Sequence, residues 1–139
     1  MHPIERISPQ EAYEKQKEGY TYIDVRSEPE FAEGHPQRAI NIPLLHHSPD
    51  GMRPNPDFLH TLQTRFPKNA KLVLGCHSGG RSLHAAQMLI EDGYQNILEQ
   101  RAGWDGTRNP FGQLIEPGWS RTPLPTETNH PSEHNNTEL

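Results

Sequence analysis

Leu72-Val73-Leu74-Gly75-Cys76-His77-Ser78-Gly79-Gly80-Arg81-Ser82 joins an apolar run to a helical pattern through a loop that holds the only cysteine of the chain. Residues 71–75 read as a buried strand, and Ser82 to Asp92 as a helix with Leu83, Ala86, Leu89 and Ile90 facing inward and Gly93 ending it. Upstream, Ser8-Pro9-Gln10-Glu11 pairs an N-cap serine with a proline at the first helical position and a glutamate three residues on. That pattern predicts a helix over about 9–18. Residues 21–25 form a β-rich run, and Ser27-Glu28-Pro29-Glu30 opens a second, brief helix that ends near Gly34. Residues 39–43 read as a strand closed by Pro43, and Asn55-Pro56-Asp57 opens a helix that aligns Phe58, Leu59, Leu62 and Phe66 before Pro67 stops it. A last strand is expected near Asn96-Ile97-Leu98. Short strands alternating with helices imply the α/β class, a small parallel β-sheet flanked by helices on both faces.

In such a sheet ligands bind beyond the carboxyl ends of the strands, where the loop carrying Cys76 falls. A loop entering a helix turns its N–H groups and the positive end of the helix dipole inward, which makes it an anion cradle. Gly79 and Gly80 supply positive φ and close backbone approach, and Arg81 adds a guanidinium fork for oxyanions. A sulfur at a helix N-terminus beside an arginine is activated as a thiolate nucleophile. Ser82 is placed to cap the helix and to hydrogen-bond the sulfur. A lone cysteine is more often an inert core residue. The polar, glycine-rich run His77-Ser78-Gly79-Gly80-Arg81-Ser82 behind this one is not what a packed core position requires.

The 139 residues suffice for one ordinary domain. With 31% hydrophobic residues, 14 Pro and 11 Gly, the core is expected to be modest and part of the length to lie in loops. Residues 102–139 carry five acids against two bases, and the polar stretch 125–139 is read as a disordered tail behind a domain spanning 1–124. A net charge of −5 with no basic run argues against a nucleic-acid or acidic-membrane partner. No apolar run approaches the roughly 20 residues of a membrane span. The start Met1-His2-Pro3-Ile4-Glu5-Arg6 lacks a basic-then-apolar leader pattern, so a cytoplasmic location is expected.

Tyr22-Ile23-Asp24-Val25-Arg26, Glu30-Phe31 with Gly34-His35, Ala39-Ile40-Asn41-Ile42-Pro43, the cysteine loop and Gly103-Trp104 stand in the order and spacing of a known family. Over residues 3–121 the sequence resembles the single-domain rhodanese (sulfurtransferase) domain. Two departures are visible: Arg38 stands where that pattern usually has Gly, and Ala102-Gly103 replaces a Gly-Gly pair. The resemblance implies a rhodanese-like fold and a persulfide mechanism. Cys76 takes the outer sulfur of a donor such as thiosulfate, residues 77–82 cradle the sulfane anion, and cyanide or a thiol accepts it. Arg81 favours a small anionic sulfur donor over mercaptopyruvate. The acceptor is expected to be a thiol, cyanide, or a thioredoxin-like or sulfur-accepting protein, with no cofactor and no metal.

Two other functions compete. Phosphatases and arsenate reductases of the related fold resemble one another in having five residues between cysteine and arginine, whereas Cys76 and Arg81 enclose four. A binding-only module or a sulfur carrier without free-standing turnover is the second alternative, although modules of the first kind usually lack the cysteine. Nine histidines invite a metal reading, but His46, His47, His60 and His84 have no metal-like spacing. Asp24 is read as a structural hydrogen-bonding residue, and His77 as facing the pocket mouth. The glycine-rich stretch 103–112 is expected to wall the pocket or receive a partner, with Trp104 in the core. Residues 44–54 are read as a surface loop, with Arg53 a candidate second anion contact.

Overall fold

The computed structural model describes residues 4–128. In chain order, the elements are strand β1 (Glu5–Ile7), helix α1 (Pro9–Lys17), β2 (Thr21–Asp24), α2 (Glu28–Glu33), β3 (His35–Pro36), β4 (Ile40–Asn41), β5 (Leu45–Ser48), β6 (Gly51–Pro54) and α3 (Phe58–Arg65). They are followed by β7 (Lys71–Gly75), α4 (Gly80–Glu91), β8 (Asn96–Gln100), β9 (Gly106–Arg108), β10 (Leu114–Pro117), a 3₁₀ turn (Trp119–Arg121) and β11 (Thr126–Glu127).

β1, β8, β7, β2 and β4, in that order, form one sheet in which every pairing is parallel. Successive side chains of a strand leave opposite faces. Accordingly Ile23, Leu72, Leu74 and Ile97 pack with Phe58 and Leu62 of α3 and with Ala85, Ala86 and Leu89 of α4. Tyr22, Val73 and Leu98 pack on the other face with Ala12 of α1 and with Trp119. The sheet is therefore covered on both faces, as expected for apolar strands alternating with helices. Trp119 is fully buried, meets the edges of Tyr13 and Tyr22 at centroid distances of 6.1 and 5.6 Å, and donates its indole N–H to the Pro125 carbonyl.

α1 starts as expected: Ser8 Oγ accepts the Glu11 N–H, and Glu11 accepts the Ser8 N–H. Three sequence expectations need correction. α4 begins at Gly80 rather than Ser82, and its N-cap is Gly79, so Ser82 lies inside the first turn instead of capping it. Residues 44–54 are not a loop. Leu45–Ser48 and Gly51–Pro54 pair as an antiparallel hairpin, because Ser48-Pro49-Asp50-Gly51 turns the chain back with Ser48 opposite Gly51. Residues 103–112 contribute β9 to a second hairpin with β10. Finally, the domain runs past residue 124: Thr126 and Glu127 pair with Pro36 and His35, and Glu127 accepts the Arg38 N–H. The remainder of the expected tail, 129–139, lies outside the described residues.

Arg38 is the one non-glycine residue with positive φ among the described residues, at 72°. It occupies the position where the resembled pattern has glycine, so the backbone there keeps the left-handed turn without the residue that adopts it freely.

Candidate active site

Cys76 leaves the carboxyl end of β7 and is 3% exposed. Its Sγ accepts the N–H of Gly79 at 3.1 Å and the N–H of Ser82 at 3.3 Å. Two amides of the strand-to-helix turn thus converge on the sulfur, and the amino end of α4 adds its dipole. Gly79 makes this turn possible. Its φ is +102°, and a Cβ there would stand 2.4 Å from the Arg101 carbonyl oxygen. Gly80 was expected to share that role, but it lies in the first turn of α4, with open space where a side chain would be.

The loop is held from behind by the segment after β8. Trp104 and Asp105 donate their N–H groups to the carbonyls of Cys76 and His77 at 2.7 and 2.9 Å. Gly103 passes so close that a Cβ would fall within 2.6 Å of both residues' backbones. Gln100 closes the approach, donating to the Gly103 carbonyl at 3.0 Å and to the Tyr22 hydroxyl at 3.2 Å. Burial pushes the Tyr22 phenol well above its ordinary range.

Ser82 is fully buried, with its Oγ 3.3 Å from the sulfur and donating to the Glu99 carboxylate. Glu99, also fully buried, accepts from Arg6 Nε at 2.5 Å, and Arg6 Nη2 reaches the Gly79 carbonyl at 3.4 Å. Glu99 and Arg6 belong to β8 and β1 and were not anticipated from the sequence. The available signal was the charge itself: a glutamate continuing a buried parallel strand is costly unless paired.

Arg81 does not reach into the site as a free fork. Its Nη1 and Nη2 meet the two carboxylate oxygens of Glu30 at 2.8 and 3.0 Å. Glu30 also accepts the Ser27 N–H and hydroxyl at 2.9 and 2.8 Å. Burial works to raise the Glu30 carboxyl, but the bonds from Arg81 and Ser27 outweigh it and hold it down to about 2. The bonds to Glu30 push the Arg81 guanidinium above its ordinary value, against its partial burial.

Glu30 lines a cleft of about 430 Å³ with Ser27, Pro29, His47 and Met52. Arg81 lines another of about 420 Å³ with Leu44, Leu45, Pro54, His84 and Met88. The β5–β6 hairpin walls both, and Cys76 lines neither.

His77 and Ser78 are exposed at the mouth, with His77 Nε2 3.9 Å from Asp105. The Arg121 guanidinium holds the Asp105 carboxyl below its usual range. Asp24 is buried and structural: it takes four bonds from Arg26, whose guanidinium also donates to the Gly34 carbonyl. Arg53 pairs with Asp50 in its own exposed hairpin, which ties it to that turn. Trp104 is half-buried, with the Arg26 guanidinium 5.1 Å from its ring.

A parallel α/β sheet with a buried cysteine in the amide-lined turn after a central strand defines a class of domain built around a loop thiol. Within that class, this chain belongs to the rhodanese family: the model of the rhodanese-like domain matches residues 8–109. The chain is 33% identical over 109 residues to thiosulfate sulfurtransferase 16, chloroplastic, of Arabidopsis thaliana, covering 78% of this chain and 81% of that protein. It is 39% identical over 93 residues to senescence-associated protein DIN1 of Raphanus sativus, covering 67% of this chain but only 51% of the radish protein. Among solved structures, Rv0390 from M. tuberculosis superposes with a TM-score of 0.75 at 26% identity, covering 91% of this chain and 98% of that one.

Proposed function

We propose that this chain is a sulfurtransferase that moves sulfane sulfur from thiosulfate, or a donor of like charge, to a thiol or cyanide through a persulfide on Cys76. The observation that carries this reading is the convergence of the Gly79 and Ser82 amides on the Cys76 sulfur. A thiolate there attacks the outer sulfur of the donor. A bond forms between Sγ and that sulfur, the sulfur–sulfur bond of thiosulfate breaks, and sulfite leaves with the bonding pair. The amides that receive the thiolate also receive negative charge on the outgoing and terminal sulfur atoms. An acceptor nucleophile then takes the terminal sulfur and returns the thiolate.

Arg81 orients the donor with the N–H groups it does not spend on Glu30, since that pair occupies two of the five donors of a guanidinium. Its charge is offset by Glu30, so the backbone carries most of the stabilisation at the sulfur. His77 and Ser78 border the path by which donor and acceptor arrive.

Intact mass of the reduced protein before and after thiosulfate tests the proposal. One added sulfur is expected, removable by cyanide or a dithiol and missing in Cys76→Ser. Absence of the adduct in the unaltered chain, with thiosulfate and with other sulfane donors, overturns it.

A further inference from the structure

Sulfur transfer through Cys76 uses no acid or base other than the thiol itself, yet a fully buried carboxylate stands one hydroxyl away. Ser82 has one hydroxyl proton, and it points at Glu99. Toward Cys76, 3.3 Å away, the same oxygen can then only accept. The hydrogen between sulfur and oxygen therefore belongs to the thiol, and Cys76, Ser82 and Glu99 form a directed chain of two hydrogen bonds. Arg6 ends the chain at the other carboxylate oxygen. The chain joins elements distant in sequence, and among the described residues no buried side-chain nitrogen or oxygen is left without a partner.

We propose that Glu99 holds the proton of Cys76 during sulfur transfer, acting through Ser82 as a positioning residue. This role in the cycle rests on the sulfurtransferase reading above. The step is a paired shift. The Cys76 proton passes to Ser82 Oγ as the Ser82 proton passes to Glu99 Oε2, leaving a thiolate, a serine hydroxyl that now donates to it, and a neutral carboxyl. The negative charge moves from the carboxylate to a sulfur that already receives the Gly79 and Ser82 amides. When the acceptor removes the sulfane sulfur, the regenerated thiolate takes its proton back along the same path. No proton has to reach bulk water, which suits a cysteine that is only 3% exposed.

Other charged or titratable groups also face this pair. They are Arg6 from β1, Tyr22 and Asp24 from β2, with Asp24 tied to Arg26, and Arg81 from α4, tied to Glu30. Tyr22 is bonded to Gln100, and Asp24 and Glu30 are each committed to an arginine. Only Glu99 reaches the sulfur through a single hydroxyl.

The test is the rate of Cys76 alkylation by iodoacetamide as a function of pH, with Glu99→Gln and Ser82→Ala. An internal proton acceptor makes the reactive form an isomer of the thiol state, so the unaltered chain should react at a level rate between about pH 5.5 and 7.5. An ordinary thiol loses about tenfold per pH unit there. Both variants should show that tenfold slope. Glu99→Gln preserves shape, and Arg6 Nε, on a side chain 40% exposed, can turn to water. Ser82→Ala leaves the Arg6–Glu99 pair intact and breaks the path at its middle. A sloping profile in the unaltered chain, or a level one in folded Glu99→Gln, overturns the proposal. Alkylation requires no sulfur donor, so failure of the unaltered chain to take sulfur from thiosulfate would sink the transferase reading alone.

Discussion

Arg81 and Glu30, 51 residues apart in the chain, meet through both guanidinium Nη atoms and both carboxylate oxygens at the mouth of the cysteine loop. The pair ties the first turn of α4 to the first turn of α2. It fixes the loop's arginine in place and cancels much of its charge.

Glu30→Gln keeps an oxygen acceptor for Arg81 and removes the opposing charge. The KM for thiosulfate should fall about fivefold, equivalent to ~1 kcal/mol between partly screened charges, with a steeper salt dependence and little change in kcat. Steady-state kinetics at two ionic strengths would decide it. An unchanged or higher KM would remove Arg81 from donor binding.

The same carboxylate makes stability depend on pH. Glu30 is held at about 2 against an ordinary 4.5, so its contribution is complete above about pH 5 and drains away as pH falls toward 2. After solvent screening it should amount to about 1–2 kcal/mol. Urea unfolding of the unaltered chain and of Glu30→Gln should differ most near neutrality and converge in acid. A gap that persists at pH 2 would mean the effect is not ionic.

Gly79→Ala places a Cβ 2.4 Å from the Arg101 carbonyl at a backbone angle of +102°. Relief requires the turn to move, which draws the Gly79 N–H off the sulfur. We expect stability to drop by about 1–3 kcal/mol and sulfur uptake from thiosulfate to slow on the order of 100-fold. Rapid-quench mass measurement on the folded variant separates the two effects. Uptake at the unaltered rate would exclude that amide from the chemistry.

Arg38, an exposed residue, holds a φ of 72°, and its backbone N–H donates to the Glu127 carboxylate. Arg38→Gly removes the left-handed strain and keeps that N–H, at the cost of a more flexible unfolded chain. A net gain of about 0.5–1 kcal/mol is expected from urea unfolding. A loss would show that contacts of the arginine outweigh its backbone strain.

Much of this architecture is legible in the chain because local signals agree with the fold. The Ser8–Glu11 capping box, the apolar run of β7 and the inward Ala86 and Leu89 of α4 each announce an element that the tertiary structure keeps, although the helix buries Ala85 and Ser82 where Leu83 was expected. The position of Cys76 between the last two marks the site. β1 is different: Glu5 and Arg6 give it no strand-like alternation, and it exists because its backbone pairs with β8, more than 90 residues away. The β9–β10 hairpin leaves Phe111 and Ile115 exposed, so burial leaves no periodic trace in its sequence. Glu30 reads as a helix-start acid and Glu99 as a charge in an apolar strand, and neither signal names its partner until the fold brings Arg81 and Ser82 to them. Pairings of that kind depend on three-dimensional proximity, which residue type and spacing do not encode.

The margins of the sheet carry a consequence for self-association. Its outermost strands, β1 and β4, have three and two residues. An incoming strand from another molecule would find almost no length of unpaired backbone to extend, and along β1 it would meet the charges of Glu5 and Arg6. Short, charged borders are a common defence against edge-to-edge aggregation. The two longest strands of this sheet, β7 and β8, lie inside it with both backbone sides already occupied.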